Sequence, residues 1–239
     1  IVLDRPNPNG FYVDGPVLQL EFKSFVGMHP IPVVHGLTVG ELAQMINGEG
    51  WLEGKTKCRL TVVPCKSYSH LDLYTLPIAP SPNLPNMTSI YLYPSLCFFE
   101  GTQISVGRGT DLPFQVIGHP DYNLGSYAFT PRSIPGVSDN PKHKDKECNG
   151  HSVEQFGSFY FTTVGKLHLD WLEGMYKDYP DKDKFFTGKN FIDKLAGTDE
   201  LRQQLVSGES LQIVRAKWQL EIEAYKNQRK RYLLYPDFE

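Results

Sequence analysis

No run of 18 apolar residues occurs in this chain, so nothing in it reads as a membrane-spanning helix. Neither sign of charge is in large excess. The 24 Lys and Arg stand against 27 Asp and Glu, a formal net charge of −3, which implies no global pull toward nucleic acid or an anionic membrane. Cysteine is sparse: Cys58, Cys65, Cys97 and Cys148 form no CxxC pair and no zinc-type spacing. Cys58 and Cys65 share one extended run, which holds their sulfurs too far apart to bond, and all four are expected to be buried free thiols. There is no internal repeat and no low-complexity segment. The first residues include no initiator methionine and no basic, apolar signal segment.

What is present fits a globular protein of one large or two modest domains: 239 residues, 40% hydrophobic and 21% charged. The 18 prolines and 21 glycines fall mostly before residue 140 and predict a loop-heavy first half. Ile1-Val2-Leu3, followed by Asp4-Arg5-Pro6-Asn7-Pro8, reads as the buried end of a parallel strand and the loop after it. Such a strand needs neighbours, so the chain is expected to be the C-terminal part of a longer protein with an α/β domain upstream. Ligands of open α/β sheets bind beyond the carboxyl ends of the strands, which makes Asp4 to Asn7 a candidate cleft wall.

Along the chain, Val17 to Val26 and Pro30 to Val34 read as short extended pieces. Thr38-Val39-Gly40-Glu41 is a capping box opening a helix with Leu42, Met45 and Ile46 on its apolar face. Cys58 to Cys65 reads as a strand, and the four prolines between Pro77 and Pro85 enforce a stiff loop. Thr88 or Ser89 is placed as the cap of a short helix through Leu92, and Phe114 to Ile117 as a strand. The charged stretch from Lys142 to Glu147 reads as solvated. Ser158 to Tyr179 carries one helical stripe, Thr198 opens a short helix ending near Gly208, and Leu211 to Arg229 is the longest helix. Lys226, Arg229, Lys230 and Arg231 at its end complement the helix dipole. The fold class is mixed α/β: short mixed strands with long irregular loops to about residue 155, backed by three helices over 156–239.

The chemistry concentrates between Cys97 and Pro120. Glu100 follows two phenylalanines, Arg108 stands between two glycines, and Thr102, Ser105 and Thr110 add hydroxyls. A carboxyl beside apolar residues is costly to bury unless partnered, and desolvation raises its pKa. Small glycines around a lone arginine let the backbone approach a ligand. The segment reads either as a polar pocket or as a buried Glu100–Arg108 structural pair. His35, just before the helix opened by Thr38, is a second candidate.

Six ordered stretches give a resemblance to a family: VLDRPNP (Val2 to Pro8), SFVGMHPIPVVHGLTVGEL (Ser24 to Leu42), PSPNLP (Pro80 to Pro85), YPSLCFFEGTQISVGRGTDLPFQVIGHP (Tyr93 to Pro120), FTP (Phe129 to Pro131) and RYLLY (Arg231 to Tyr235). Over essentially its whole length the chain resembles the C-terminal part of the NamZ-type exo-β-N-acetylmuramidases. The chain departs from many relatives at Val106, where they carry an acid, and over 66–76, which lacks their Trp-Arg loop.

The resemblance implies removal of terminal N-acetylmuramic acid from the non-reducing end of peptidoglycan fragments, in the periplasm or at the cell surface. It also implies a Rossmann-like domain upstream, with residues 1–16 as its end and linker and 17–239 as the C-terminal domain. Glycosidases commonly use two carboxyl groups. Glu100 is placed as one of them, the general acid if its pKa is raised. The other is expected from the upstream domain, with Asp4 a weaker local candidate. On its own, the chain is then expected to be inactive. Arg108 or Arg5 would meet the lactyl carboxylate as a planar, bidentate donor. Asn7, His35 and Asn83 would bond hydroxyls or the acetamido group, with Thr102 and Ser105 alongside. Tyr91 and Tyr93 read as core. No metal or nucleotide cofactor is needed. A non-catalytic carbohydrate-binding module, or a metallohydrolase using His35, His119 or His151, remains open on the sequence.

Overall fold

Val2–Leu3 (β1) pairs in parallel with Val62–Val63 (β4), so the opening residues do form a parallel strand, but Ile1 and Leu3 are exposed rather than buried, and the expected strand from Cys58 to Cys65 shrinks to two residues. The computed structural model describes the backbone of residues 1–239 and every side chain except those of residues 158, 160 and 161. Its architecture is mixed α/β, with seven α-helices and seven short strands in small sheets among the described residues. Asp14–Val17 (β2) pairs antiparallel with Pro32–Val34 (β3), and the extended run does not continue to Val26 because Leu20–Phe22 turns into a 3-10 helix. Val116–His119 (β5), Tyr127–Phe129 (β6) and Cys148–Ser152 (β7) form an antiparallel sheet in the order β5-β7-β6. Strands β5 and β7 approach so closely that a Cβ on Gly150 would lie 1.9 Å from the Ile117 carbonyl.

The helix Val39–Gly48 (α1) starts at the capping box as expected: Thr38 Oγ1 accepts from Glu41 N, and Glu41 Oε2 accepts from Thr38 N at 2.9 Å. Glu41 does more than cap. Fully buried, its Oε1 also meets His70 Nε2 at 3.0 Å and accepts from Leu234 N at 2.8 Å. Asp4 lies at the same helix start, accepting from Gly40 N (2.7 Å), Thr38 Oγ1 (2.7 Å) and Tyr235 Oη (2.6 Å). Both ends of the chain are thus tied to one helix N-terminus.

Met87–Leu96 (α2) is capped by Asn86, whose Oδ1 accepts from Ser89 N at 2.9 Å. The cap is therefore neither Thr88 nor Ser89, although Ser89 completes the reciprocal box. This helix is buried on nearly all sides, including Ile90, Tyr91, Leu92 and Leu96, as suits a helix running through a core. Past Pro94 the chain tightens into a 3-10 turn, Cys97–Gly101, which seats Phe98 and Phe99 fully in the core and brings Glu100 to the surface.

The single stripe expected from Ser158 to Tyr179 is two helices, Gly157–Val164 (α3) and Asp170–Asp178 (α4). Gly165 separates them at φ +56, a left-handed conformation that ends a helix. Phe191–Ala196 (α5), Glu200–Ser207 (α6) and Leu211–Arg229 (α7) follow, so the helical layer holds five helices rather than three. The bounds of α7 match the sequence reading, and Val214, Trp218, Ile222 and Tyr225 pack into the main core. Of the four basic residues at the end of α7, Arg229 is fully buried. Cys97 and Cys148 are buried free thiols as expected, but Cys58 is exposed and Cys65 partly so.

Candidate active site

Glu100 and Arg108 meet. Arg108 Nη2 donates to Glu100 Oε1 at 2.5 Å, with the carboxylate 24% and the guanidinium 36% exposed. Arg108 reaches across from above the Phe114 ring, its Cζ 5.0 Å from the centroid. The glycines beside it are explained by the protein's own backbone rather than by a ligand. Gly107 (φ +76) and Gly109 (φ +83) are left-handed, and a Cβ on them would lie 2.6 Å from the Leu112 carbonyl and 2.5 Å from the Arg132 carbonyl. A side chain at either position would open the turn that aims Arg108 at Glu100. Gly101 has a similar reason, since its Cβ would lie 2.4 Å from Ile192 N on α5.

Glu100 lies on the wall of a cavity of about 410 Å³ bounded by the turn at 25–29, β3, Tyr93, Cys97 and the end of α5. A second cavity of about 350 Å³ contains Arg5, Asn7, Leu76 and Pro80. His35 and Leu42 line both, so the two cavities adjoin across these two side chains. Burial, reinforced by the positive charge of Arg229 and opposed by Glu41, pushes the His35 imidazole down to about 4. The ring is neutral near pH 7, and its Nδ1 accepts from Leu37 N at 3.1 Å, which leaves Nε2 as the N–H donor.

The other expected site residues divide by how they are already bonded. Arg5 is exposed in the cleft and makes no ion pair among the described residues. Asn7 uses both ends of its amide internally, donating to Leu37 O at 2.8 Å and accepting from Asn9 N at 2.9 Å. Asp4 serves the start of α1 and Tyr235, which occupies the carboxylate proposed as a local catalytic partner. Thr102 Oγ1 donates to Phe99 O at 2.9 Å and Ser105 Oγ accepts from Gly107 N at 3.2 Å; both are buried and shape the loop. Asn83 lines neither cavity and donates to Val137 O at 3.0 Å. Tyr91 is core, as expected, whereas Tyr93 lines the cleft with its ring 5.1 Å from Phe114.

His119 and His151 are engaged away from His35. His119 Nε2 pairs with Tyr179 Oη at 3.2 Å and its Nδ1 accepts from Asp121 N at 3.0 Å, while His151 Nε2 pairs with Tyr122 Oη at 3.1 Å. Among the described residues, no three His, Cys, Asp or Glu side chains come together as a metal site would require.

Two residues of this region carry no obvious signal in the sequence. Phe25 is 98% exposed at the tip of the Ser24–Gly27 turn and lines the Glu100 cavity; in sequence it belongs to an unremarkable extended run. Lys142 sits in a charged stretch that reads as solvated, yet its ammonium turns inward. Nζ donates to the carbonyls of Phe99 (3.4 Å), Thr102 and Ile104 (3.2 Å), the backbone on either side of Glu100. Next to it, His143 Nε2 lies 2.6 Å from Gln103 O. Burial pushes the Lys142 ammonium down to about 8, against the pull of Glu100. Above that pH the lysine gives up its proton and its hold on the Glu100 loop weakens. Any activity that depends on Glu100 is therefore expected to fall as pH rises through about 8. Lys142→Met should lack this alkaline limb and turn over roughly 10- to 100-fold more slowly at neutral pH. An alkaline limb unchanged in Lys142→Met would reject this role.

Residues 1–88 match the family model "Exo-beta-N-acetylmuramidase NamZ, N-terminal" and residues 91–235 match its C-terminal counterpart. The chain belongs to the NamZ exo-beta-N-acetylmuramidase family. It is 36% identical over 250 residues to the peptidoglycan beta-N-acetylmuramidase NamZ of Bacillus subtilis strain 168, covering 98% of this chain and 59% of that protein. A crystal structure of a DUF1343 family protein from Bacteroides fragilis NCTC 9343 is 51% identical, with a TM-score of 0.93 over 98% of this chain and 66% of that one. A second DUF1343 protein from the same organism, 24% identical with a TM-score of 0.75 over 97% of this chain and 65% of that one, shares the fold. The chain thus spans about three fifths of the length of the curated relative it matches.

Proposed function

We propose that the full-length protein hydrolyses the glycosidic bond of a terminal N-acetylmuramic acid at the non-reducing end of peptidoglycan fragments, this chain supplying one wall of the cleft. Family membership supports the reaction class. The observation that carries the assignment to this region is the Glu100 carboxylate, partly exposed in a cavity that shares His35 and Leu42 with the cavity holding Arg5. The Arg108 pair suits Glu100 to work as an anion, facing the positive charge that develops at the anomeric carbon. The proton donor is then the second carboxyl group, supplied by the part of the protein outside this chain.

Arg5 takes the lactyl carboxylate on this reading, because its guanidinium is exposed and unpaired whereas Arg108 already holds Glu100. Arg108 becomes a positioning residue. The neutral His35 donates from Nε2 to the acetamido oxygen or a hydroxyl, and Phe25 offers an apolar ring for a sugar face. Export to the periplasm or cell surface accords with a peptidoglycan substrate.

The test is product analysis. Full-length protein is incubated with peptide-free glycan oligomers that begin with N-acetylmuramic acid, and the products are read by mass spectrometry. Release of one free N-acetylmuramic acid per chain end is expected. Cleavage within the oligomer, or none at all, would refute the reading.

A further inference from the structure

One groove shares no lining residue with the two cavities just described. It is a groove of about 670 Å³ between the 109–112 turn and β6, extending over residues 130–134 to Glu147. From this groove and its position we infer a second carbohydrate subsite, for the glycan that continues on the reducing side of the scissile bond. The inference rests on the proposed reaction for its direction, but the chemistry of the groove stands on its own.

Three charged side chains line the groove: Asp111, Arg132 and Glu147. All three are exposed, and none makes an ion pair among the described residues. Their mixed signs disfavour a polyanion, and their number disfavours an apolar ligand. Tyr127, 38% exposed, adds an aromatic ring to the same wall. A pyranose has one apolar face and a rim of hydroxyls. The ring suits the face, the two carboxylates accept from hydroxyls, and the guanidinium donates to hydroxyl or acetamido oxygens. The volume lies in the range of small-ligand sites.

Position ties the groove to Glu100. The turn that aims Arg108 at Glu100 supplies, from the very next residue, the groove wall beginning at Gly109. Consecutive Cα atoms are about 3.8 Å apart, so the partner of Glu100 and the start of the groove are neighbours. The two walls are joined by the backbone: Arg132 N donates to Gly109 O at 2.8 Å, and Gly109 has no room for a side chain. The groove is thus held at a set place relative to Arg108, the residue that holds Glu100.

Two measurements on the full-length protein test this. In the first, oligomers of three and four N-acetylglucosamine units are titrated by calorimetry into wild type, Tyr127→Ala and Arg132→Ala, each checked for an unchanged melting temperature. Binding to wild type, weakened about tenfold or more in each variant, is expected. In the second, KM is measured for a muramic-acid-terminated tetrasaccharide and for a single-sugar chromogenic muramide. The ratio of the two should rise about tenfold in each variant. No oligomer binding by wild type, undiminished binding by the variants, or an unchanged KM ratio would overturn the subsite. If the protein hydrolyses no muramide, the proposed reaction fails while the titration still decides the groove: binding lost in both variants upholds it, and binding retained overturns it.

Discussion

Glu100→Gln in the full-length protein is expected to lower kcat for a chromogenic N-acetylmuramide by roughly 10²- to 10⁴-fold, with little change in KM or melting temperature. Glutamine keeps the shape and its amide oxygen can still accept from the Arg108 guanidinium, so the ion pair becomes a bond from a charged donor to a neutral acceptor. On the proposed reaction, it loses the anion that would face the reacting carbon. Folding is insulated because the pair is partly exposed, and exposed pairs contribute about 1 kcal/mol or less. Turnover within a factor of about three of wild type, on a protein with unchanged melting, would show that Glu100 is only the structural partner of Arg108.

Arg229→Met is expected to be the most destabilising of these changes, by about 3–5 kcal/mol in a denaturant titration. The guanidinium is 0% exposed. It donates to Asp237 from Nη1 at 2.8 Å and Nη2 at 2.9 Å, and to Gly36 O from Nε at 3.2 Å and Nη2 at 2.8 Å, with its Cζ 4.7 Å from the Phe238 centroid. Methionine fills much of the volume but strands a carboxylate and a carbonyl. Burial by itself raises the Asp237 carboxyl, but the hydrogen bonds and charge of Arg229 outweigh it and hold the group below its ordinary 3.8. The stability from this pair is therefore fully present above pH 3.8 and is lost as pH falls through the lower folded value. The variant should lose that acid-dependent part of its titration. A loss under 1 kcal/mol would mean that the buried network carries little. Because Gly36 adjoins His35, the same variant should also bind substrate less well.

Local chemistry was legible in the sequence, and partners far along the chain were not. The α1 capping box, α6 and α7 announce themselves through side chains within one or two turns of one another. Glu100 and Arg108 were legible as a pair because only seven residues, two of them glycine, separate them. The stripe from Ser158 to Tyr179 misled because Leu167 and Trp171 continue the apolar spacing across Gly165, where the backbone turns left-handed. Lys142 was hidden because its acceptors are carbonyls about 40 residues earlier, and backbone groups leave no mark on a sequence. Asp4 looked free because the groups that claim it, Thr38, Gly40 and Tyr235, lie 34 to 231 residues along the chain. The glycines beside Arg108 were noticed, but their crowding against Leu112 and Arg132 appears only in three dimensions.

The start of α1, where Asp4 and the backbone of Leu234 are both fastened, makes the chain a closed loop in mechanical terms. Neither end can peel away without loosening a helix whose Leu42 and preceding His35 form the waist of the cleft. Pulling at either terminus is thus transmitted to the side chains that line both cavities. The cleft is gripped like a drawstring purse, its two cords knotted at Thr38 to Glu41.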